Sequence, residues 1–176
     1  MPRTSRGPYQ ETKQMAEILE TNTMLANAYE PKRKFRWIMD IEGIDAFTLK
    51  TGARPQMTFE ETVIDFMNTK RYVAGKMAYS PLNITLQDPI APSAAQKVMN
   101  WVRLCYEVIT GRMGYASMYK KDWSLKMSDP QGAIIEQWDI KGAWVQDTNM
   151  GELDYASSDN AEVSLVVRYD AAIHLF

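Results

Sequence analysis

The sequence has 176 residues, 45% hydrophobic and 24% charged, which is ordinary for a globular protein that buries a core. Its formal net charge of −2 excludes the strongly basic footprint of a duplex-DNA-binding protein, and its one cysteine, Cys105, excludes an intrachain disulfide. No apolar run has the length of a membrane span, and the N-terminus lacks the apolar core of a signal peptide. We therefore expect a protein that folds in the cytoplasm and stays out of membranes.

The N-terminal segment is predicted to be helical. Apolar side chains between residues 9 and 29 recur at helical spacing, and Pro31 ends the pattern. A short basic linker follows. We expect an N-terminal helical arm over residues 1–34, followed by a main domain over residues 35–176.

From residue 35 the hydrophobic period changes to two, which predicts strands. One strand begins at Phe35, a second covers residues 46–52, and residues 82–87 alternate again. Between them, residues 56–79 form a long hairpin, although no Asn-Gly or Asp-Gly pair indicates a two-residue turn.

The second half of the chain predicts one helix followed by strands. Ser93 and Gln96 form a capping box, and Gly111 suits the end of the same helix, whose apolar stripe includes Cys105 as a small buried residue. Residues 122–173 then predict a short strand, a turn, a long strand and a final strand. On the long strand, one face is expected to hold Ile134, Trp138, Ile140 and Trp144. About seven strands and one helix predict a mainly β fold, a β-sandwich or barrel with a packed α-helix and an extended hairpin.

No catalytic or metal constellation is visible in the sequence. His174, the sole histidine, lies near the C-terminus, where chains commonly fray, and no cysteine cluster accompanies it. We expect no enzyme, no metal and no cofactor.

The hairpin combines apolar and cationic side chains, and exposed alone it would promote aggregation. Two interpretations stay open at this point. The hairpin folds back over its own core, or it pairs with a neighbouring copy and so satisfies the open sheet edges. The candidate contact residues are Phe59, Val63, Phe66, Met67, Asn68, Lys70, Tyr72 and Val73.

Several spaced motifs resemble one family. They are "FMNTKRYVAG" (66–75), the following "ITL", the helix with Trp101, "IKGAWV" (140–145), "GELDY" (151–155) and "EVSLVVRYD" (162–170). In this order they resemble the tail tube proteins of contractile-tailed phages of the T-even type, which share their fold with type VI secretion tube proteins. The resemblance covers about residues 35–170.

The resemblance implies a structural virion protein. Six copies would close into a ring, and stacked rings would form the hollow inner tail tube, assembled in the host cytoplasm. Its implied partners are the tail sheath, tape-measure, baseplate and tail terminator proteins, with double-stranded DNA passing transiently through the channel. The hairpin would then reach the adjacent ring, and the candidate luminal acids are Glu60, Glu61 and Asp65.

The charge distribution suggests a further contact between copies. The basic residues Lys32, Arg33 and Lys34 could face acidic residues of another copy, although both surfaces could equally be solvated. The acidic candidates are Asp147, Glu152, Asp154 and Asp159. We also expect residues 1–34 to act as an arm that crosses onto a neighbouring subunit or ring.

Alternative functions are a terminator or initiator ring with the tube fold, and a tube of an injection or secretion system. A more distant alternative is a small-ligand or flavin-binding β-barrel, which is favoured if the hairpin closes within one copy.

Overall fold

A curled sheet of seven strands forms the body of the protein, for which a computed structural model describes residues 30–176. The helix predicted over residues 9–29 lies outside the described residues. The sheet contains β1 (Trp37–Asp40), β2 (Leu49–Thr51), β5 (Leu82–Gln87), β8 (Lys121–Ser128), β9 (Ile134–Asn149), β10 (Glu162–Arg168) and β11 (Ala171–His174). The hairpin strands are β3 (Met57–Phe66) and β4 (Thr69–Tyr79), and two short strands are β6 (Tyr106–Glu107) and β7 (Arg112–Met113). The helices are α1 (Ala94–Cys105), the four-residue α2 (Ala116–Tyr119) and a 3₁₀ turn at Ala46–Thr48.

The sheet order is β1-β8-β9-β10-β5-β2, with β11 also paired to β9. One edge of the 16-residue β9 pairs with β8, and its other edge pairs first with β11 and then with β10. The sheet curls until its two ends approach each other. A side chain at Gly52 would come within 2.5 Å of the Met39 Cε atom, so the end of β2 lies directly against β1. The result is a half-barrel, and the mainly β prediction is confirmed.

The core fills the concave side of this half-barrel. Alternating residues of β5 and β10 are buried, as period-two patterning requires, and the alternation of residues 82–87 is confirmed. Helix α1 covers them through Ala94, Val98 and Trp101. The Trp101 Nε1 atom donates a hydrogen bond to the Tyr119 carbonyl at 2.8 Å, which fixes α2 beside the helix.

The start of α1 is as predicted, but its end is not. Ser93 caps the helix and accepts a hydrogen bond from the Gln96 N–H at 3.3 Å. The helix ends at Cys105, which is half-buried rather than buried, because the chain turns extended at Tyr106 and pairs β6 with β7. Gly111 lies in the turn of that small ribbon, with a φ angle of 69°.

A bulge corrects the predicted face of β9. Asp122 lies opposite both Lys141 and Gly142, and Gly142 has a φ angle of 63°. The extra residue shifts the alternation, so Ile140 and Ala143 are both fully buried. Trp144 therefore leaves the face of Ile140 and packs edge-on against Tyr119, with ring centroids 6.4 Å apart.

The other end of β9 also differs from prediction. Ile134 is exposed, and the buried position two residues later belongs to the charged Glu136. A register shift between Met127 and Ser128 accompanies this change.

Candidate assembly surface

The β3–β4 hairpin is a two-stranded ribbon separate from the seven-stranded sheet. Every residue of β3 is exposed, and so are nine of the eleven residues of β4. The long hairpin is therefore confirmed, and it does not lie against the core of its own chain. Within residues 30–176, neither of its outer edges pairs with another strand.

The strand register gives the hairpin two different faces, because directly opposed residues point to the same side. The pairs Val63↔Tyr72 and Phe59↔Met77 share one side, whereas Ile64↔Arg71 lies on the other. The first side, here called the apolar face, holds Met57, Phe59, Glu61, Val63, Asp65, Lys70, Tyr72, Ala74, Met77 and Tyr79. The second, here called the mixed face, holds Thr58, Glu60, Thr62, Ile64, Phe66, Thr69, Arg71, Val73 and Ala78.

A bulge interrupts the hairpin at Glu60. The register passes from Phe59↔Met77 to Glu61↔Ala74, so Glu60 lies opposite two residues. Gly75 is one of them, and a side chain there would come within 2.9 Å of the Glu60 carbonyl oxygen. Backbones this close require glycine.

The tip of the hairpin is a two-residue turn formed by Met67 and Asn68, which corrects the expectation from sequence. Met67 occupies the left-handed region with a φ angle of 50°, a position usually taken by asparagine, aspartate or glycine. Its side chain is 91% exposed. The Lys70 ammonium lies 3.8 Å from the Asp65 carboxylate, a loose pair at the surface.

The root of the hairpin is anchored to the core. The Ser80 N–H donates to the Gln56 carbonyl at 3.0 Å, and the Tyr79 ring packs 5.3 Å from that of Tyr169. Tyr169 is buried, which raises the pKa of its phenol. The hairpin thus leaves the body from a fixed base.

The three predicted luminal acids do not share one face. Glu61 and Asp65 lie on the apolar face, while Glu60 lies on the mixed face. All three are exposed.

The predicted charge contact involves two exposed regions. Lys34 lies just before β1. Glu152, Asp154 and Asp159 lie in the exposed loop between β9 and β10, and Asp147 lies near the end of β9.

Sequence reasoning missed a buried charged residue near the hairpin. The Glu136 carboxylate accepts a hydrogen bond from the Trp138 Nε1 atom at 2.7 Å and lies 3.5 Å from the guanidinium of Arg54. The Trp138 ring packs 4.5 Å from that of His174, which is part of β11 and not frayed. Period two places residue 136 on the same face as residues 138 and 140, so the pattern indicated an inward position. The charge of glutamate argued against burial there, and the position was therefore missed.

A second exposed apolar region follows α1 and was also missed. Its side chains are Tyr106, Val108, Ile109, Met113, Tyr115 and Met118. The sequence pattern had instead predicted that the helix continues to Gly111.

In the part of the chain that the structure describes, no cluster of three or more His, Cys, Asp or Glu side chains could hold a metal ion. No helix among residues 30–176 has the length and apolar character needed to span a membrane.

Comparison with known proteins gives consistent matches. A family model described as T4-like virus tail tube protein gp19 matches residues 33–172. The tail tube protein gp19 of Enterobacteria phage T4 is 30% identical over 121 residues, which are 66% of this chain and 72% of the phage protein.

Several solved structures share the fold. A chain of the sheath/tube terminator of the extracellular contractile injection system PVC, in its extended state, gives a TM-score of 0.69 at 12% identity. The match covers 85% of this chain and 99% of that one. The sheath-tube complex of the same system gives 0.66 at 13% identity, over 84% and 93% of the two chains. Because the family model spans most of the main domain, this chain belongs to the T4-like virus tail tube protein family and is a structural protein of the tail tube, not an enzyme.

Proposed function

We propose that six copies of this chain close into a ring and that the rings stack into a hollow inner tube through which double-stranded DNA passes. The observation that carries the proposal is the exposed β3–β4 hairpin, whose apolar face has no partner in residues 30–176. Large exposed apolar patches usually mark interaction sites. A half-barrel with open edges at β1 and β2 is likewise a unit that sister copies can complete.

The two faces of the hairpin suit different surroundings. The apolar face, including Glu61 and Asp65, contacts a neighbouring copy, where cations meet the two acids. The mixed face, with Glu60, Arg71 and its threonines, borders the channel, where Glu60 offsets the charge of Arg71 and so limits adhesion of DNA phosphates. Phe66 and Met67 at the tip reach the adjacent ring.

The tube would have further partners at its surface, interior and ends. We assign the outer surface to a tail sheath and the interior during assembly to a tape-measure protein. Baseplate and terminator proteins close the two ends. Assembly takes place in the host cytoplasm before the tube becomes part of the virion tail. The N-terminal residues 1–34 act as an arm between subunits, so that deletion of residues 1–30 weakens polymerisation.

Negative-stain microscopy of the purified chain tests the proposal. We expect tubes of stacked rings with sixfold symmetry in end views. Single rings that do not stack would instead indicate a terminator or initiator, and a monomer at high concentration would overturn the proposal.

A matched pair of variants tests the hairpin itself. Val63→Asp places a charge in the apolar face and should abolish tubes, while Val63→Thr keeps the size and strand preference and should retain them. Val63 is 43% exposed in the single chain, so neither change should lower the thermal unfolding midpoint much. Tubes formed equally well by both variants would show that the apolar face is not an interface.

A further inference from the structure

We infer that Arg54 and the buried Glu136 form a latch that fixes the direction in which the hairpin leaves the body. This inference rests on the proposed role of the hairpin in assembly. Arg54 lies in the segment of residues 52–56 that joins β2 to β3. Glu136 lies on β9, in the body of the half-barrel.

The connecting segment is held at three points. At its start, Gly52 lies directly beneath the side chains of Trp37 and Met39. At its end, the Gln56 carbonyl accepts from the Ser80 N–H at 3.0 Å. Between them, the Arg54 guanidinium lies 3.5 Å from the Glu136 carboxylate. Residues 53–56 are otherwise largely exposed. The contact between Arg54 and Glu136 therefore ties the middle of this segment to the body.

The burial of Glu136 makes this contact significant. Its side chain is 4% exposed, and it lies on the core side of β9 opposite Met127. A buried carboxylate requires a compensating charge or hydrogen bonds. The Trp138 N–H supplies one hydrogen bond, and the Trp138 ring is itself held against His174. Arg54 supplies a positive charge from the solvent side, where its side chain is 61% exposed.

The geometry of the hairpin explains why such a latch matters. A strand of ten residues is about 33 Å long at 3.3 Å per residue. A rotation of only about 6° at its root moves the tip sideways by about 3.3 Å, which is roughly two thirds of the about 4.8 Å between neighbouring strands of a sheet. An unlatched hairpin would therefore carry the edge of its strands out of hydrogen-bonding distance of a strand in its partner.

Arg54 offers the better test because Glu136 is buried, so that its replacement by alanine would also disturb the core. Arg54→Ala removes the cation from an exposed side chain, and Arg54→Lys restores a positive charge. Lys97→Ala is the matched control, since it breaks a different ion pair. In that pair the ammonium of Lys97, on α1, lies 2.5 Å from the Asp45 carboxylate. We expect Arg54→Ala to raise the protein concentration needed for tubes roughly tenfold, equivalent to about 1.4 kcal/mol, with partial recovery in Arg54→Lys. The control should polymerise like the unaltered protein.

A second measurement follows the direction of the hairpin without relying on tubes. Spin labels are attached at Lys70→Cys near the tip and at Gln131→Cys on the body, in a Cys105→Ser background. Labelled protein is diluted with unlabelled protein, so that only distances within one chain are measured. The distance distribution should broaden in Arg54→Ala and stay narrow in Lys97→Ala.

The outcomes separate the two proposals. If the unaltered protein forms no tubes, the proposed function fails, and the label distances alone decide whether the latch exists. If tubes form and Arg54→Ala matches the unaltered protein in both measurements, the latch is overturned. Broadened distances with normal tubes would also overturn it, because the direction of the hairpin would then not control assembly.

Discussion

Gly142 shows how a single residue controls which side chains enter the core. Its φ angle of 63° permits the bulge that brings both Ile140 and Ala143 inward. The Asp122 carboxylate accepts a hydrogen bond from the Gly142 N–H at 2.9 Å and pairs with Lys141 at 3.2 Å. These contacts, first the hydrogen bond from Gly142 and then that from Lys141, lower the pKa of Asp122. The bulge is therefore supported from the neighbouring strand.

We predict that Gly142→Ala destabilises the protein by about 1–3 kcal/mol, because it combines a left-handed φ angle with a steric clash. The new Cβ atom would come within 2.2 Å of the Asp170 carboxylate, which pairs with Lys120. Gly111→Ala is the control, since that glycine has a similar φ angle of 69° and open space around it. Urea denaturation measures the free energy of unfolding of both variants. Equal losses of stability would mean that the Asp170 side chain moves away from the new Cβ atom without cost.

At the level of elements, the N-terminus of α1 depends on a residue outside the predicted capping box. The Asp88 carboxylate accepts hydrogen bonds from the backbone N–H groups of Ala94 and Ala95 and from the Ser93 hydroxyl, at 2.8, 3.1 and 3.1 Å. A negative charge there also complements the positive end of the helix dipole. Asp88 is therefore the principal cap, and Ser93 a secondary one.

We predict that Asp88→Ala lowers the free energy of unfolding by about 1–2 kcal/mol and that Ser93→Ala costs less. Asp88→Asn keeps an acceptor oxygen but loses the charge, so it should fall between them. Denaturant titration of the three variants gives the ranking. A larger loss for Ser93→Ala would show that the capping box alone starts the helix.

The elements that sequence predicted well are those whose pattern is uninterrupted. Period-two alternation identified β5 and β10, and the family motifs identified the fold as a whole. Prediction failed where one residue changes the period, as at Gly142, or where tertiary pairing overrides local preference, as when Tyr106 leaves the helix to pair with Met113. The face of each hairpin residue also needed the structure, because the bulge at Glu60 is set by close backbone contact with Gly75.

For the whole molecule, the open half-barrel and the exposed ribbon support the proposal of a unit that is completed by other copies. Residues 33–176 form one compact unit, yet large apolar side chains stay exposed on the hairpin and in the region after α1. Charges on other exposed segments can set the register between copies more than the affinity.

We predict that reversing Lys32, Arg33 and Lys34 to glutamate impairs ring stacking. Each exposed ion pair contributes only about 0–1 kcal/mol, so the effect should weaken as salt is added. Reversing Glu152, Asp154 and Asp159 to lysine in the same chain should partly restore tubes. Tube length in micrographs at low and high salt provides the measurement. Two sets of variants that both polymerise normally would identify these surfaces as solvated.

The half-buried thiol of Cys105, at the end of α1, provides a single labelling site with which assembly can be followed. Because each subunit has one cysteine, a maleimide dye attaches once per copy, and stepwise photobleaching of an isolated particle counts its subunits. Burial raises the pKa of Cys105, which slows alkylation near neutral pH and leaves time to compare rates. A change in labelling rate between dispersed and polymerised protein would reveal whether the end of this helix becomes covered in the particle.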